Sequence, residues 1–209
     1  MSPPYERAFV QQLQQRLGEA NPLIQVLVGP RQVGKTTGVR QMLARFSGRH
    51  HYANADDQLV TDRTWLLTQW QQALLIGDGS LLVIDEIQKI ANWSDTIKAL
   101  WDQQPHRLRV VLLGSSSLQI QTGLTESLAG RFELTRIHHW CFSELQTAFD
   151  YDLERYLRFG GYPGADTFAR RIDGARCPGR TTAHHQHIEG FAGTDLLGFA
   201  QRHLHPDGI

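Results

Sequence analysis

The chain has 209 residues, the length of one domain or of one domain and part of a second. Apolar residues make up 41% of it and charged residues 20%, an ordinary globular composition that excludes wholesale disorder. Basic and acidic residues number 21 each, which excludes a protein whose main task is to coat nucleic acid. A local basic patch is still compatible with this balance, so nucleic acid stays open as a partner although the charge does not indicate it.

Neither a membrane span nor a secretion signal is predicted. No segment approaches the ~18 consecutive apolar residues of a transmembrane helix, and residues 1–17 are Gln-rich and charged. The two cysteines, Cys141 and Cys177, are too few for a disulfide framework or for a zinc site of their own. The predicted compartment is therefore the cytoplasm, where thiols stay reduced.

The first half of the chain alternates predicted helices and strands. An N-terminal helix is indicated by apolar residues at helical spacing, namely Phe9, Val10, Leu13 and Leu17. A first strand over residues 23–28 ends at Gly29-Pro30. The helix after it has an apolar face formed by Val39, Met42, Leu43 and Phe46. A short second strand is predicted near residues 51–53, before an amphipathic helix that contains Trp65, Leu66, Trp70, Ala73 and Leu74.

The second half continues the alternation. Residues 81–84 form a continuous apolar run, typical of a strand buried on both faces. A helix with Trp93, Ile97, Leu100 and Trp101 separates it from a fourth strand over residues 110–113. A fifth strand is predicted from about 132 to 138, and a capping-box pattern at Ser143 and Gln146 predicts a helix through Phe149. Strands alternating with helices predict an α/β fold with a largely parallel sheet.

A complete phosphate-binding loop follows the first strand. Gly29-Pro30-Arg31-Gln32-Val33-Gly34-Lys35-Thr36 fits the pattern G-x-x-x-x-G-K-[ST]. The glycines let the backbone point successive N–H groups at phosphate oxygens, at a helix N-terminus that favours negative charge. Lys35 is predicted to reach the β- and γ-phosphates, and the Thr36 hydroxyl to ligate Mg²⁺.

Two carboxylates end the third strand. Asp85 and Glu86 follow the apolar run 81–84, and the carboxyl ends of parallel strands lie beside a phosphate loop. Asp85 is predicted to hold Mg²⁺, and Glu86 to polarise a water for attack on the γ-phosphate. A kinase that passes phosphate to a metabolite needs no such glutamate, so the pair favours hydrolysis.

Two further features are weaker candidates. Gly114 and three serines end the fourth strand, and Ser115 or Ser116 is predicted to sense or position the attacking water. Arg131 follows a glycine at a loop end, where an arginine finger acting in cis or toward a neighbouring subunit is one interpretation. A structural ion pair is the other.

In sequence order, these motifs resemble one family. The segments that match are Gly29–Thr37, Val83–Lys89, Gly114–Ser117 and Leu124–Phe132. The chain resembles bacterial and archaeal AAA-type ATP-binding proteins, whose nucleotide domain precedes a C-terminal domain of uncharacterised function. The resemblance implies a P-loop NTPase fold with a sheet of the 5-1-4-3-2 type, and ATP rather than GTP. It also adds Thr37 to the nucleotide-binding loop and favours a functional Arg131.

The resemblance also predicts the division of the chain. It assigns residues 1–150 to the ATPase domain and residues 151–165, with the segment Tyr156–Pro163, to the start of the family's second region. Residues 166–209 are atypical and are predicted to be a poorly ordered tail, with His184, His185 and His187 lacking nearby metal-ligand partners. The chain is therefore interpreted as a truncated member with a frameshifted or degraded remnant at its end.

The sequence favours an ATP-binding protein that hydrolyses ATP with Mg²⁺. Two alternatives stay open, a nucleotide-gated interaction module with little turnover and a DNA-associated ATPase. A homo-oligomer or an unknown protein partner is compatible with either, and no membrane association is expected.

Overall fold

One parallel sheet organises the residues that the computed structural model describes, which are 5–57, 62–115, 128–162 and 164. Its strands are β1 (Ile24–Val28), β2 (His50–Asn54), β3 (Leu81–Asp85), β4 (Arg109–Gly114) and β5 (Phe132–Arg136). The spatial order is β2-β3-β4-β1-β5, and every neighbouring pair is parallel. This is the predicted 5-1-4-3-2 order, with β4 between the strand of the phosphate loop and the strand of the acidic pair.

Helices connect the strands, as the alternating pattern predicts. They are α1 (Ala8–Leu17), α2 (Lys35–Arg45), α3 (Arg63–Ile76), α4 (Trp93–Gln103), α5 (Phe142–Phe149) and α6 (Leu153–Phe159). Short 3₁₀ turns occupy Ala55–Asp57 and Ile87–Lys89. No described helix is both long enough and apolar enough to cross a bilayer.

Position in the sheet explains which strands were easy to predict. Every residue of β1 and β3 is buried, because both strands have a neighbour on each side and helices on each face. The edge strand β2 is half exposed, and its sequence HHYAN lacks the continuous apolar run of the central strands. A central parallel strand is therefore visible as an apolar run, whereas an edge strand is not.

The core has one part on each face of the sheet. Ile24, Val26 and Val28 of β1 pack on one face with residues of α3 and α4, including Trp70 and Trp101. Leu27 of β1 packs on the other face with residues of α1 and α2. Successive side chains of a strand point to opposite faces, so β1 contributes to both parts and fixes the loop that follows it.

A smaller apolar cluster lies where the chain leaves β5. Trp140, Leu145 and Tyr151 form its buried part. Helix α5 begins here at Phe142, and the Glu144 carboxylate accepts the backbone N–H of Cys141 at 2.9 Å. The predicted capping box at Ser143 and Gln146 is thus corrected to Cys141 and Glu144. A tertiary contact explains the shift, because Glu144 is also paired with Arg7 at the start of α1.

Several predictions lie outside the described residues. They concern Ser116, residues 124–127 of the segment Leu124–Phe132, and the tail over residues 166–209 with its histidines. The division of the chain at residues 150 and 165 also stays a prediction.

Candidate nucleotide-binding and active site

The phosphate loop lies at the carboxyl edge of the sheet, between β1 and the N-terminus of α2. Gln32 and Gly34 have positive φ angles of 63° and 90°, a conformation that glycine adopts without a steric penalty. A Cβ on Gly29 would lie 2.3 Å from the carbonyl oxygen of Ile137, so the backbone after β5 packs directly on this residue. Two of the loop's glycines are therefore required by its shape.

Lys35 is buried against the loop that precedes it. Its side-chain Nζ donates hydrogen bonds to the carbonyl oxygens of Gly29 at 2.7 Å and Pro30 at 2.6 Å. Burial lowers the pKa of Lys35, while the carboxylates of Glu86 and Asp85 act in the opposite direction. The hydrogen bonds of an ammonium group to an anionic oxygen are stronger than those to a neutral carbonyl oxygen. A phosphate oxygen is therefore a better acceptor for Lys35 than the carbonyl oxygens of Gly29 and Pro30.

Asp85 joins the end of β3 to the phosphate loop. The carboxylate, which is 3% exposed, accepts the Thr36 hydroxyl at 2.8 Å and the Tyr52 hydroxyl at 2.9 Å. Its second oxygen accepts the backbone N–H of Glu86 at 2.9 Å. All three of these donors are neutral. The predicted ligands Thr36 and Asp85 are thus in direct contact, with hard oxygen atoms of the kind that Mg²⁺ prefers.

Tyr52 is a member of this site that the sequence did not single out. It lies on β2, next to β3, and its hydroxyl donates to the same Asp85 oxygen as Thr36 does. Burial, followed by the hydrogen bond to Asp85, raises the pKa of Tyr52 to about 12, so it stays a donor at neutral pH. The Tyr52 hydroxyl holds the carboxylate in place from the side opposite the strand β4.

Glu86, the residue after Asp85, lines a cavity beside the phosphate loop. Its φ of 55° and ψ of 40° place it in the left-handed region, where a residue other than glycine is uncommon. The cavity has a volume of about 310 Å³, and its wall includes Arg31, Gln32, Lys35, Thr36 and Asp56. The two adjacent carboxylates thus have different surroundings, since Asp85 is bonded to Thr36 and Tyr52 whereas Glu86 lines the cavity; their different roles stay a prediction.

Gln88 connects Glu86 to the end of β4. Its side-chain amide donates to the Glu86 carboxylate, and its carbonyl oxygen accepts the Ser115 backbone N–H at 3.3 Å. Gln88 therefore links the backbone of Ser115 to the Glu86 carboxylate. The predicted role of the serine hydroxyls stays a prediction, since Ser116 lies outside the described residues.

Arg131 lies at the opposite edge of the sheet. Its carbonyl oxygen accepts the N–H of Ile24 at the start of β1, whereas the phosphate loop follows the end of that strand. The five residues of β1 span about 16 Å, which is the distance between the end of the strand next to Arg131 and the end that leads into the phosphate loop. The Arg131 guanidinium makes a bidentate ion pair with Asp102 of α4 at 2.6 and 3.0 Å. Arg131 thus makes an ion pair, as the second interpretation expected, and the role of an arginine finger stays a prediction.

Replacing Arg131 by alanine is accordingly expected to lower the melting temperature slightly and to leave the kcat for nucleotide hydrolysis unchanged. The ion pair with Asp102 is partly exposed, so water and salt weaken its contribution to stability. The check is kcat at a temperature where circular dichroism shows the variant fully folded, with Asp102→Asn as the matched variant. A large loss of kcat in folded Arg131→Ala alone would favour a finger that acts on a neighbouring subunit.

A second cavity of about 410 Å³ adjoins the phosphate loop on its other side. Aromatic side chains of Tyr5, Trp140 and Phe149 line it, together with Gln41 of α2 and the backbone at Gly34. The Trp140 ring lies 5.6 Å from the Tyr5 ring and 5.4 Å from the Phe149 ring. No sequence motif predicts this cavity, because its walls come from distant parts of the chain.

The fold and this arrangement define a P-loop protein, and comparison with known proteins gives its family. The AAA domain family matches residues 21–146. The chain belongs to this family, a class of ATP-binding proteins with the α/β P-loop fold, which confirms the predicted fold and family.

The chain is also similar to two curated relatives and to a solved structure. Uncharacterized proteins of Mycobacterium bovis and Mycobacterium tuberculosis are 34% identical over 113 residues, which are 54% of this chain and 24% of each relative. The chain therefore spans about a quarter of the curated relatives it matches. The structure of the Aeropyrum pernix ORC1 protein in complex with DNA matches 71% of this chain and 49% of its own, with a TM-score of 0.52 and 14% identity. That likeness concerns the fold.

Proposed function

We propose that this chain binds ATP with Mg²⁺ and hydrolyses it to ADP and phosphate. One observation carries the proposal: Lys35, Thr36 and Glu86 line a single cavity at the carboxyl edge of the sheet, and Asp85 is hydrogen-bonded to Thr36 beside it. Lys35 supplies a cation for phosphate, Thr36 and Asp85 supply two oxygen ligands for a metal, and Glu86 supplies a second carboxylate for water.

Binding of the phosphates rests on the loop. Helix α2 begins at Lys35, so its unpaired N–H groups and its dipole favour an anion at that point. The ammonium group of Lys35, already within the loop, exchanges a carbonyl oxygen for a phosphate oxygen. Arg31 adds a second positive charge to the same cavity.

The residues at the end of β3 fit a magnesium ion. The Asp85 carboxylate is buried with three neutral donors, so a cation next to it compensates its charge. Thr36 and Asp85 would hold the ion, directly or through water. When bound there, Mg²⁺ would neutralise part of the negative charge of the β- and γ-phosphates.

Hydrolysis is assigned to Glu86. Its carboxylate lies on the same cavity as Lys35, where it accepts a proton from water as the water oxygen forms a bond to the γ-phosphorus. The bond from phosphorus to the bridging oxygen breaks, and that oxygen leaves as part of ADP. Gln88 donates a hydrogen bond to one Glu86 oxygen, which restricts the rotation of the carboxylate.

The base fits the second cavity. The Tyr5, Trp140 and Phe149 rings offer apolar and aromatic surface for a purine, and the cavity shares Gly34 and Thr37 with the phosphate loop. Gln41, whose amide donates to the Tyr5 carbonyl oxygen at 3.1 Å, places a polar group on the same wall. This assignment is compatible with ATP and does not depend on the hydrolytic step.

Steady-state hydrolysis with and without DNA separates the proposal from its alternatives. An ATPase releases phosphate at a basal rate in the presence of Mg²⁺. An interaction module binds ATP without turnover, and a DNA-associated ATPase is stimulated by DNA. The activity and partners of the longer relatives are a separate question, because this chain covers only 24% of their length.

Replacing Asp85 by asparagine is expected to abolish the tightening of ATP binding by Mg²⁺. The variant keeps the shape and one acceptor oxygen but loses the charge that attracts the ion. Calorimetric titration of ATP with and without Mg²⁺ measures the difference. The matched control is Asp78→Asn, an exposed aspartate paired with Arg107 far from the loop. An equal Mg²⁺ effect in wild type and Asp85→Asn would remove Asp85 from the metal site.

A further inference from the structure

Two side chains hold the phosphate loop from behind. The Arg7 guanidinium donates a hydrogen bond to the carbonyl oxygen of Val33 at 2.9 Å, and the Trp140 indole N–H donates another at 3.1 Å. Val33 is fully buried within the loop. A carbonyl oxygen has two lone pairs, so these donors together fix its direction.

The two donors are themselves held in place. Arg7 makes a bidentate ion pair with Glu144 at 2.9 and 3.1 Å, and it also donates to the His138 carbonyl oxygen at 3.1 Å. Its guanidinium lies 5.0 Å from the centre of the Trp140 ring. Burial acts to raise the pKa of Glu144, but hydrogen bonds from Arg7 and from the Cys141 backbone keep it below its ordinary value. Glu144 therefore stays charged and keeps Arg7 oriented at neutral pH.

The geometry of a peptide unit gives these contacts a consequence for ligand binding. The Val33–Gly34 peptide bond is trans, so its C=O and N–H point in opposite directions. Because the carbonyl points to Arg7 and Trp140, the Gly34 N–H points away from them. Gly34 has φ of 90° and, as a glycine, also tolerates the reversed peptide, which would turn the N–H toward Arg7 and Trp140.

We propose that Arg7 and Trp140, supported by Glu144, are positioning residues that lock the Val33–Gly34 peptide so that its N–H faces a phosphate oxygen. The inference rests on the proposed phosphate site, and it adds three residues from outside the loop to that site. They act through the backbone of the loop and not by touching the phosphates.

The first test is the affinity for tripolyphosphate, which has no base and so does not report on the second cavity. Trp140→Phe keeps an aromatic ring and removes one N–H donor, and Glu144→Gln removes the charge that orients Arg7. Each is expected to weaken tripolyphosphate binding by about three- to tenfold, the effect of losing one hydrogen bond. Trp65→Phe, a partly buried tryptophan on α3, is the matched control and is expected to bind as the wild type does.

The second test is the amide resonance of Gly34 in ¹⁵N-labelled protein. In Trp140→Phe the peptide is expected to exchange between two orientations, which broadens the Gly34 resonance and leaves that of Gly18 after α1 sharp. A purely structural loss would lower the melting temperature without this selective broadening.

The outcomes separate the inference from the function on which it rests. Wild-type protein that does not bind tripolyphosphate overturns the phosphate site, and this inference with it. Wild-type binding with unchanged affinity in both folded variants overturns the inference alone. Weaker binding with a sharp Gly34 resonance also overturns it, because the loss then has another origin. If Trp140→Phe does not fold, Glu144→Gln is judged by the same two readouts.

Discussion

Replacing Lys35 by alanine is expected to weaken ATP binding by about a hundredfold or more. The Lys35 side chain places its positive charge inside the phosphate loop, on the wall of the cavity, and charge-assisted hydrogen bonds to phosphate are among the strongest in proteins. Calorimetric titration with ATP measures the effect directly.

A second lysine provides the control. Lys98 lies on α4, outside the wall of either cavity beside the loop, so Lys98→Ala is expected to bind ATP as the wild type does. Equal affinity of Lys35→Ala and wild type would contradict the phosphate site itself. Circular dichroism of both variants shows whether the comparison is between folded proteins.

Replacing Glu86 by glutamine is expected to leave ATP bound and to slow hydrolysis by about 10²- to 10⁴-fold, the typical contribution of a general base. The amide has nearly the same shape as the carboxylate but does not accept a proton from water. Because the side chain is not a predicted metal ligand, KM is expected to change much less than kcat.

Two measurements complete this second prediction. Phosphate release gives kcat, and calorimetry gives the affinity for ATP with Mg²⁺. Glu154→Gln on α6 removes an exposed carboxylate and is the matched control. Hydrolysis by Glu86→Gln at the wild-type rate would show that another group activates the water.

The residues that sequence reasoning found are close together in the chain or belong to central strands. The loop Gly29–Thr36 is one continuous pattern, and Asp85 and Glu86 end a strand whose apolar run is unmistakable because both of its faces are buried. The parallel sheet then brings these two segments to one edge, which confirms the predicted strand order. Local pattern and topology together were sufficient for this part of the site.

The residues that sequence reasoning missed act across long stretches of chain. Tyr52 reaches Asp85 across 33 positions from an edge strand of weak pattern, and Trp140 reaches Val33 across 107. Arg131 illustrates the converse case, in which the sequence pattern allows two interpretations. An arginine that follows a glycine in a loop has the same spacing whether it binds phosphate or pairs with a carboxylate, as Arg131 does with Asp102. Only the folded chain distinguishes these cases.

Phosphate release by the purified chain, with ATP and Mg²⁺ and beside Lys35→Ala and Glu86→Gln, tests the central claim most directly. The account predicts steady release by the wild type that stops when Mg²⁺ is chelated. Lys35→Ala is expected to show no release for lack of binding, and Glu86→Gln to bind ATP without appreciable release. Wild-type protein that binds ATP with Mg²⁺ but releases no phosphate, or release that is equal in all three proteins, would contradict it.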